Sequence, residues 1–290
     1  RAICAVKTGD VEKGEIIMGQ IFGSSAINRT PPEVLYKGLL SIIEGWVADQ
    51  ETPDVTQEKA NKFLDEHLGK VVITPYDMAK YNFNGRLLGF ARTAMENKMY
   101  ALAARLFSMI VPTGDIVEDL TSRTANYPVP PQRLLDEINK YKSSINAEDS
   151  IDVVTQINLA LLYETMRNYR AGFVLYEFLE NQHNPHKYQP EFLFGATRCS
   201  AAVQDFDAAT VYGLRFLEKY PDHEYAGAVS ELLLPNLFFV MRDYDRCLEI
   251  AGKIRARFPD PKDPKGDVAD FVVGGSYFYQ GKFDEAQPAI

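Results

Sequence analysis

The chain has 290 residues, 40 acidic and 31 basic side chains, a net charge of −9, and many Tyr and Phe beside a single Trp, Trp46. It is long enough for one large domain or two smaller ones, and its acidic balance, without a dense Lys/Arg run, argues against nucleic acid as a partner. No stretch reaches the roughly 18 apolar residues of a spanning helix, and the odd, scattered cysteines Cys4, Cys199 and Cys247 read as small buried thiols.

Residues 1–30, with Gly9, Gly14, Gly19 and Gly23, show no periodic pattern that assigns an element. "PPEVLYKGLLSIIEGWVAD" (31–49) places Val34, Leu35, Leu39, Ile42, Ile43 and Trp46 on one helical stripe, with prolines at its entry. "VTQEKANKFLDEHLGK" (55–70) predicts a helix with Thr56 as its cap and Gly69 as its stop. Residues 75–112 read as a helix pair ending at Pro112. The polar, proline-bearing stretch 111–131 reads as a connection, and 132–150 adds a short helix.

From about residue 150 the chain repeats itself. "NYRAGFVLYEFLE" (168–180) returns as "DFDAATVYGLRFLEKYP" (205–221), "DYDRCLEIAGKIRARFP" (243–259) and "KFDEAQPAI" (282–290). The aromatic anchors Tyr169, Phe206, Tyr244 and Phe283 stand 37, 38 and 39 residues apart. Three residues after each sits a small one: Gly172, Ala209, Cys247 and Ala286. Tyr100, Ala103, Phe107 and Ile110 echo the pattern as a degenerate copy at about 75–112. Small residues in step with large ones are what paired helices need to approach and interdigitate. Each unit therefore reads as two helices joined by a turn just before the anchor. Pro221 and Pro259 close two units, with Pro185 one residue late in the first, and Pro235 predicts a kink worth roughly 3 kcal/mol if uncompensated.

Spacing and residue type over about 150–290 resemble the tetratricopeptide repeat, whose unit is normally near 34 residues. The first-helix glycine of that family stands only at Gly274, and Pro235 replaces it in the third copy. The resemblance implies an all-α, TPR-like α-solenoid of stacked helix hairpins, preceded over 1–150 by a less regular helical part. The long period is also similar to that of bacterial extracytoplasmic repeat proteins, a resemblance that leaves the compartment open and favours periplasm or cell envelope slightly over cytoplasm. The fourth unit is incomplete, and a repeat cannot bury its apolar stripe alone, so the chain is expected to be part of a longer array.

In such an array the first helices line a concave face. Counting back from the anchors gives Ile157, Leu161 and Glu164, then Phe194 and Arg198, then Leu232, Asn236 and Phe239, then Phe271 and Phe278. The face is apolar and aromatic, which suits an apolar helix or extended segment of a protein partner. The same stripe also has a packing reading, against neighbouring helices. Tyr277, Phe278 and Tyr279 would favour a glycan or small ligand if they lined an open cleft. "HNPH" (183–186) lacks an acidic or cysteine partner for a metal. No phosphate-binding glycine loop, nucleophile elbow or carboxylate pair stands out, so neither cofactor nor catalysis is expected. The leading expectation is a non-catalytic scaffold, one component of a larger assembly; the alternatives are a ligand-binding helical array or the non-catalytic region of an enzyme.

Overall fold

The computed structural model describes residues 1–145, 147, 149–183, 186–257 and 264–287, and among them every regular element is a helix, many of them packed in adjacent pairs. The chain divides into two compact units, Arg1–Leu162 and Tyr163–Ile290. The division falls inside a helix, past residue 150 where the repeat pattern begins. Pro185 and Pro259, expected to close two repeats, lie outside the described residues.

The first unit holds α1 (Ala2–Lys7), α2 (Val11–Phe22), α3 (Pro32–Val47), α4 (Pro53–His67), α5 (Pro75–Lys80), α6 (Phe83–Glu96), α7 (Tyr100–Ser108), α8 (Thr113–Thr124), α9 (Gln132–Ile145) and most of α10 (Ile151–Thr165). Its core is α3. Helices α1, α2, α4 and α6 all contact it, so its apolar surface is wider than the single expected stripe. Tyr36, Leu40 and Val47 are buried along with Leu39, Ile42, Ile43 and Trp46, while Val34 is exposed. The first thirty residues, which carry no periodic signal, form α1 and α2. They pack because Gly14 leaves room: a Cβ there would stand 2.5 Å from Val6 Cγ2.

Two expectations are corrected in this unit. Thr56 does not cap α4; Pro53 takes the first helical position, so the helix starts a turn earlier and Thr56 sits inside it, donating to Asp49. The stretch 111–131 is not all connection, because α8 occupies most of it. Ile116 and Leu120, one helical turn apart, bury with Ile138 of α9, and the Thr113 amide donates to the Asp152 carboxylate at 3.0 Å. Burial of two apolar side chains outweighs a loop-like composition there.

The second unit runs from the end of α10 through α11 (Tyr169–Gln182), α12 (Gln189–Ala202), α13 (Phe206–Lys219), α14 (Ala226–Pro235), α15 (Tyr244–Arg257), α16 (Pro264–Tyr279) and α17 (Phe283–Ala286). Consecutive helices pack on one another from α11 to α14 and from α14 to α17. Each aromatic anchor is the first residue of its helix: Tyr169, Phe206, Tyr244 and Phe283. Gly172, Ala209, Cys247 and Ala286 are all buried.

The turns before these anchors share one backbone. A left-handed residue, Arg167, Gln204, Arg242 or Gly281, ends each first helix at φ between 55° and 75°. Next comes the cap position. The amides of Asn168, Asp205 and Lys282 reach back five residues to the carbonyls of Tyr163, Ser200 and Tyr277 at 2.8–2.9 Å, a Schellman closure. Asn168, Asp205 and Asp243 then accept from the amide three residues on. The pair α6–α7 turns the same way at Lys98, with Met99 bonding back to Ala94.

Pro235 makes the third copy different. Lacking a donor, it ends α14, and a π turn over Asn236–Met241 follows. Asp243 consequently bonds back six residues, to Leu237. One extra residue is wound into that turn, and the expected kink takes this form.

Candidate functional site

The ten residues of the expected concave face fall into four groups. Ile157 and Leu161 belong to the first unit, Ile157 half-buried and Leu161 exposed. Within the second unit, Glu164, Phe194 and Arg198 form a polar knot. Phe239, Phe271 and Phe278 lie on an exposed aromatic surface. Leu232 is half-buried on α14, and Asn236 is buried in the π turn, so Asn236 does not offer its amide to a partner. The extra residue of the π turn shifts the register that the count from Tyr244 assumed.

The polar knot is held from several sides. Arg198 pairs with Glu164 at 2.6 Å and lays its guanidinium over the Phe194 ring at 4.5 Å. The Tyr176 hydroxyl donates to Glu164 at 3.4 Å, and Tyr225 stacks on Phe194 at 4.5 Å. Gly195 is what admits Tyr176 so closely: a Cβ there would fall 2.4 Å from the ring. Burial first, and then the Glu164 charge, pushes Cys199 up to about 12 and Tyr176 higher still. Burial also pushes Cys247 up to about 11. Neither thiol is a thiolate near neutral pH, so neither is poised as a nucleophile. A second pair sets Arg215 on Glu180 at 3.0 Å, where the carboxylate is 1% exposed. The Tyr212 hydroxyl donates to Glu177 at 2.8 Å. Arg198–Glu164 joins α12 to α10, and Arg215–Glu180 and Tyr212–Glu177 join α13 to α11, so these pairs tie alternate helices and offset part of the penalty of burying charge.

The aromatic surface is built from the π turn, α15, α16 and α17. Phe238 is its buried centre, with ring contacts to Phe239 (4.8 Å), Tyr244 (5.7 Å), Tyr279 (5.8 Å) and Phe271 (6.0 Å). Phe278 joins through Tyr279 and extends to Phe283. Around that centre Phe239, Phe271, Phe278, Tyr279 and Phe283 are 62, 60, 53, 64 and 62% exposed. Val240 and Met241 are exposed beside them in sequence. Counting from the anchors found Phe239, Phe271 and Phe278 but missed Tyr279 and Phe283. The run "SYFY" carried the signal for Tyr279. Phe283 read as a packing anchor, and it is exposed because, among the described residues, α17 is braced on α16.

Among the described residues, no group of three or more His, Cys, Asp or Glu converges as a metal set. His183 and His186 lie with ring centroids 6.0 Å apart, and the two residues between them are outside the described set. The stretch nearest a membrane span in length and hydropathy is Tyr100–Thr124, but it breaks between α7 and α8. Compared with models of known protein families and with curated protein sequences, the chain matches none.

Proposed function

We propose that the chain is a non-catalytic scaffold of TPR-like helix hairpins, continuing as a solenoid, that binds a protein or peptide through the aromatic surface of its second unit. The observation that carries this reading is the cluster of five aromatic side chains, each more than half exposed, joined by ring contacts. Contiguous exposed apolar patches of this kind mark interaction sites, and Phe and Tyr supply large contact area at low entropic cost. The recurring Schellman turns and the four buried small residues support the repeat reading.

Ring orientation favours a side-chain partner over a glycan. Phe278 and Tyr279 meet at 85° and Phe278 and Phe283 at 71°. The one near-parallel pair, Tyr244 and Tyr279, stacks its faces on each other. A sugar needs a flat free face, whereas angled rings form notches for apolar side chains.

The test is co-purification from the native source with wild type and a Phe271→Asp/Phe278→Asp variant. Both positions are exposed, so the variant keeps its fold. A partner retained by wild type and lost by the variant supports the reading, and identical partners with both defeat it.

A further inference from the structure

The first unit contains an open cleft of about 510 Å³ that the proposed scaffold role does not use. Its walls come from α3, the segment after α4, α5 and the end of α7. Leu68, Ile73, Met78, Met109 and Val111 make them predominantly apolar. One polar group stands out. Tyr36 lines the cleft from α3, is 2% exposed, and its hydroxyl has no hydrogen-bond partner among the described residues. Its ring is fixed against Phe83 at 5.0 Å. The hydroxyl is not among the side-chain oxygens sealed from solvent without a partner, so it is reachable from the cleft it lines and can donate to an acceptor placed there.

The charges of the lining decide what carries that acceptor. Arg105 is already committed, donating to the Asp65 carboxylate at 2.6 Å and to the Asn61 carbonyl at 3.1 Å. The remaining charged lining residue is Asp115, exposed and acidic. The local balance therefore disfavours an anion. We propose that this cleft binds a small uncharged amphiphile, an apolar chain or ring bearing one hydrogen-bond acceptor such as an amide or ester carbonyl. The Tyr36 hydroxyl donates to that carbonyl, and the apolar body lies along Met78 and Met109. The volume is that of an ordinary small-ligand site.

The test uses the full chain carrying ¹³C-methyl methionine, titrated with octanamide and, separately, octanoate. Met78→Leu and Met109→Leu variants assign the two signals. Octanamide is expected to move the Met78 and Met109 signals saturably and to leave Met241, in the second unit, unmoved. Octanoate is expected to bind at least tenfold more weakly. Tyr36→Phe removes a hydroxyl that holds nothing in the protein, so melting is unchanged while octanamide binding weakens about three- to tenfold. Should that variant unfold, Ser108→Trp at the exposed rim decides instead: lost binding supports the site and retained binding overturns it. The proposal is also overturned by no movement of Met78 and Met109 at the solubility limit, by octanoate binding as tightly, or by equal affinity in folded Tyr36→Phe.

Discussion

Side-chain size at single positions governs how closely these helices pack, and two glycines predict opposite outcomes. At Gly195 an added Cβ would lie 2.4 Å from the Tyr176 ring, which is buried and tied to Glu164. Gly195→Ala is therefore expected to destabilise by about 1–3 kcal/mol, as overpacking does. Gly252, exposed inside α15, has nothing within 4 Å of the same atom. Gly252→Ala should stabilise by about 0.5–1 kcal/mol through helix propensity alone. Urea titration reads both, and equal effects would refute the packing argument. His67 gives a pH prediction. It is stacked on Phe22 at 4.7 Å and edge-on to Phe63 at 4.5 Å. Burial, reinforced by Lys70, holds its pKa below the ordinary 6.5. The folded state thus takes up the proton less readily than the unfolded chain. Its contribution is complete above pH 6.5 and is lost as pH falls toward the lowered folded value. Urea midpoints should decline over that window, and His67→Phe should flatten the decline.

At the scale of the element, the recurrent turn is the device that makes one hairpin resemble the next. Among these turns glycine fills the left-handed position only at Gly281; Lys98, Arg167, Gln204 and Arg242 occupy it in the other pairs at φ 55–63°. A side chain there costs roughly 1 kcal/mol relative to glycine. Replacing Arg167 or Gln204 by Gly should raise stability by about 0.5–1 kcal/mol, and Gly281→Ala should lower it by a similar amount; thermal melts check the signs. This geometry also explains what was legible beforehand. Anchor spacing marked the start of each second helix because an aromatic at that position follows a turn of fixed length. It misplaced Asn236 because the π turn after Pro235 adds a residue that spacing alone does not reveal. Helix α8 was hidden for a different reason: two apolar residues, Ile116 and Leu120, in a Gly/Thr/Asp context give little periodic signal, and only their burial with Ile138 reveals the helix. The glycines of residues 1–30 obscured α1 and α2 because glycine lowers helix propensity even where, as at Gly14, close packing requires it.

At the scale of the molecule, the aromatic surface must be reconciled with a net charge of −9. An acidic chain repels acidic partners over roughly a Debye length, about 8 Å at physiological salt, and attracts basic ones. Charge therefore acts on encounter, while the exposed rings act on the bound state. The two contributions separate by salt. If the surface around Phe238 supplies most of the binding free energy, the equilibrium constant for the co-purified partner should change less than about threefold between low and physiological ionic strength. The heat-capacity change of association should be clearly negative, since apolar burial is its source. Phe271→Asp should abolish that negative change without altering the melting temperature, because Phe271 is exposed rather than part of the core. Isothermal titration at two salt concentrations and three temperatures measures all of this. A steep loss of affinity with salt, together with a heat-capacity change near zero, would assign recognition to charged residues and leave the rings without a role.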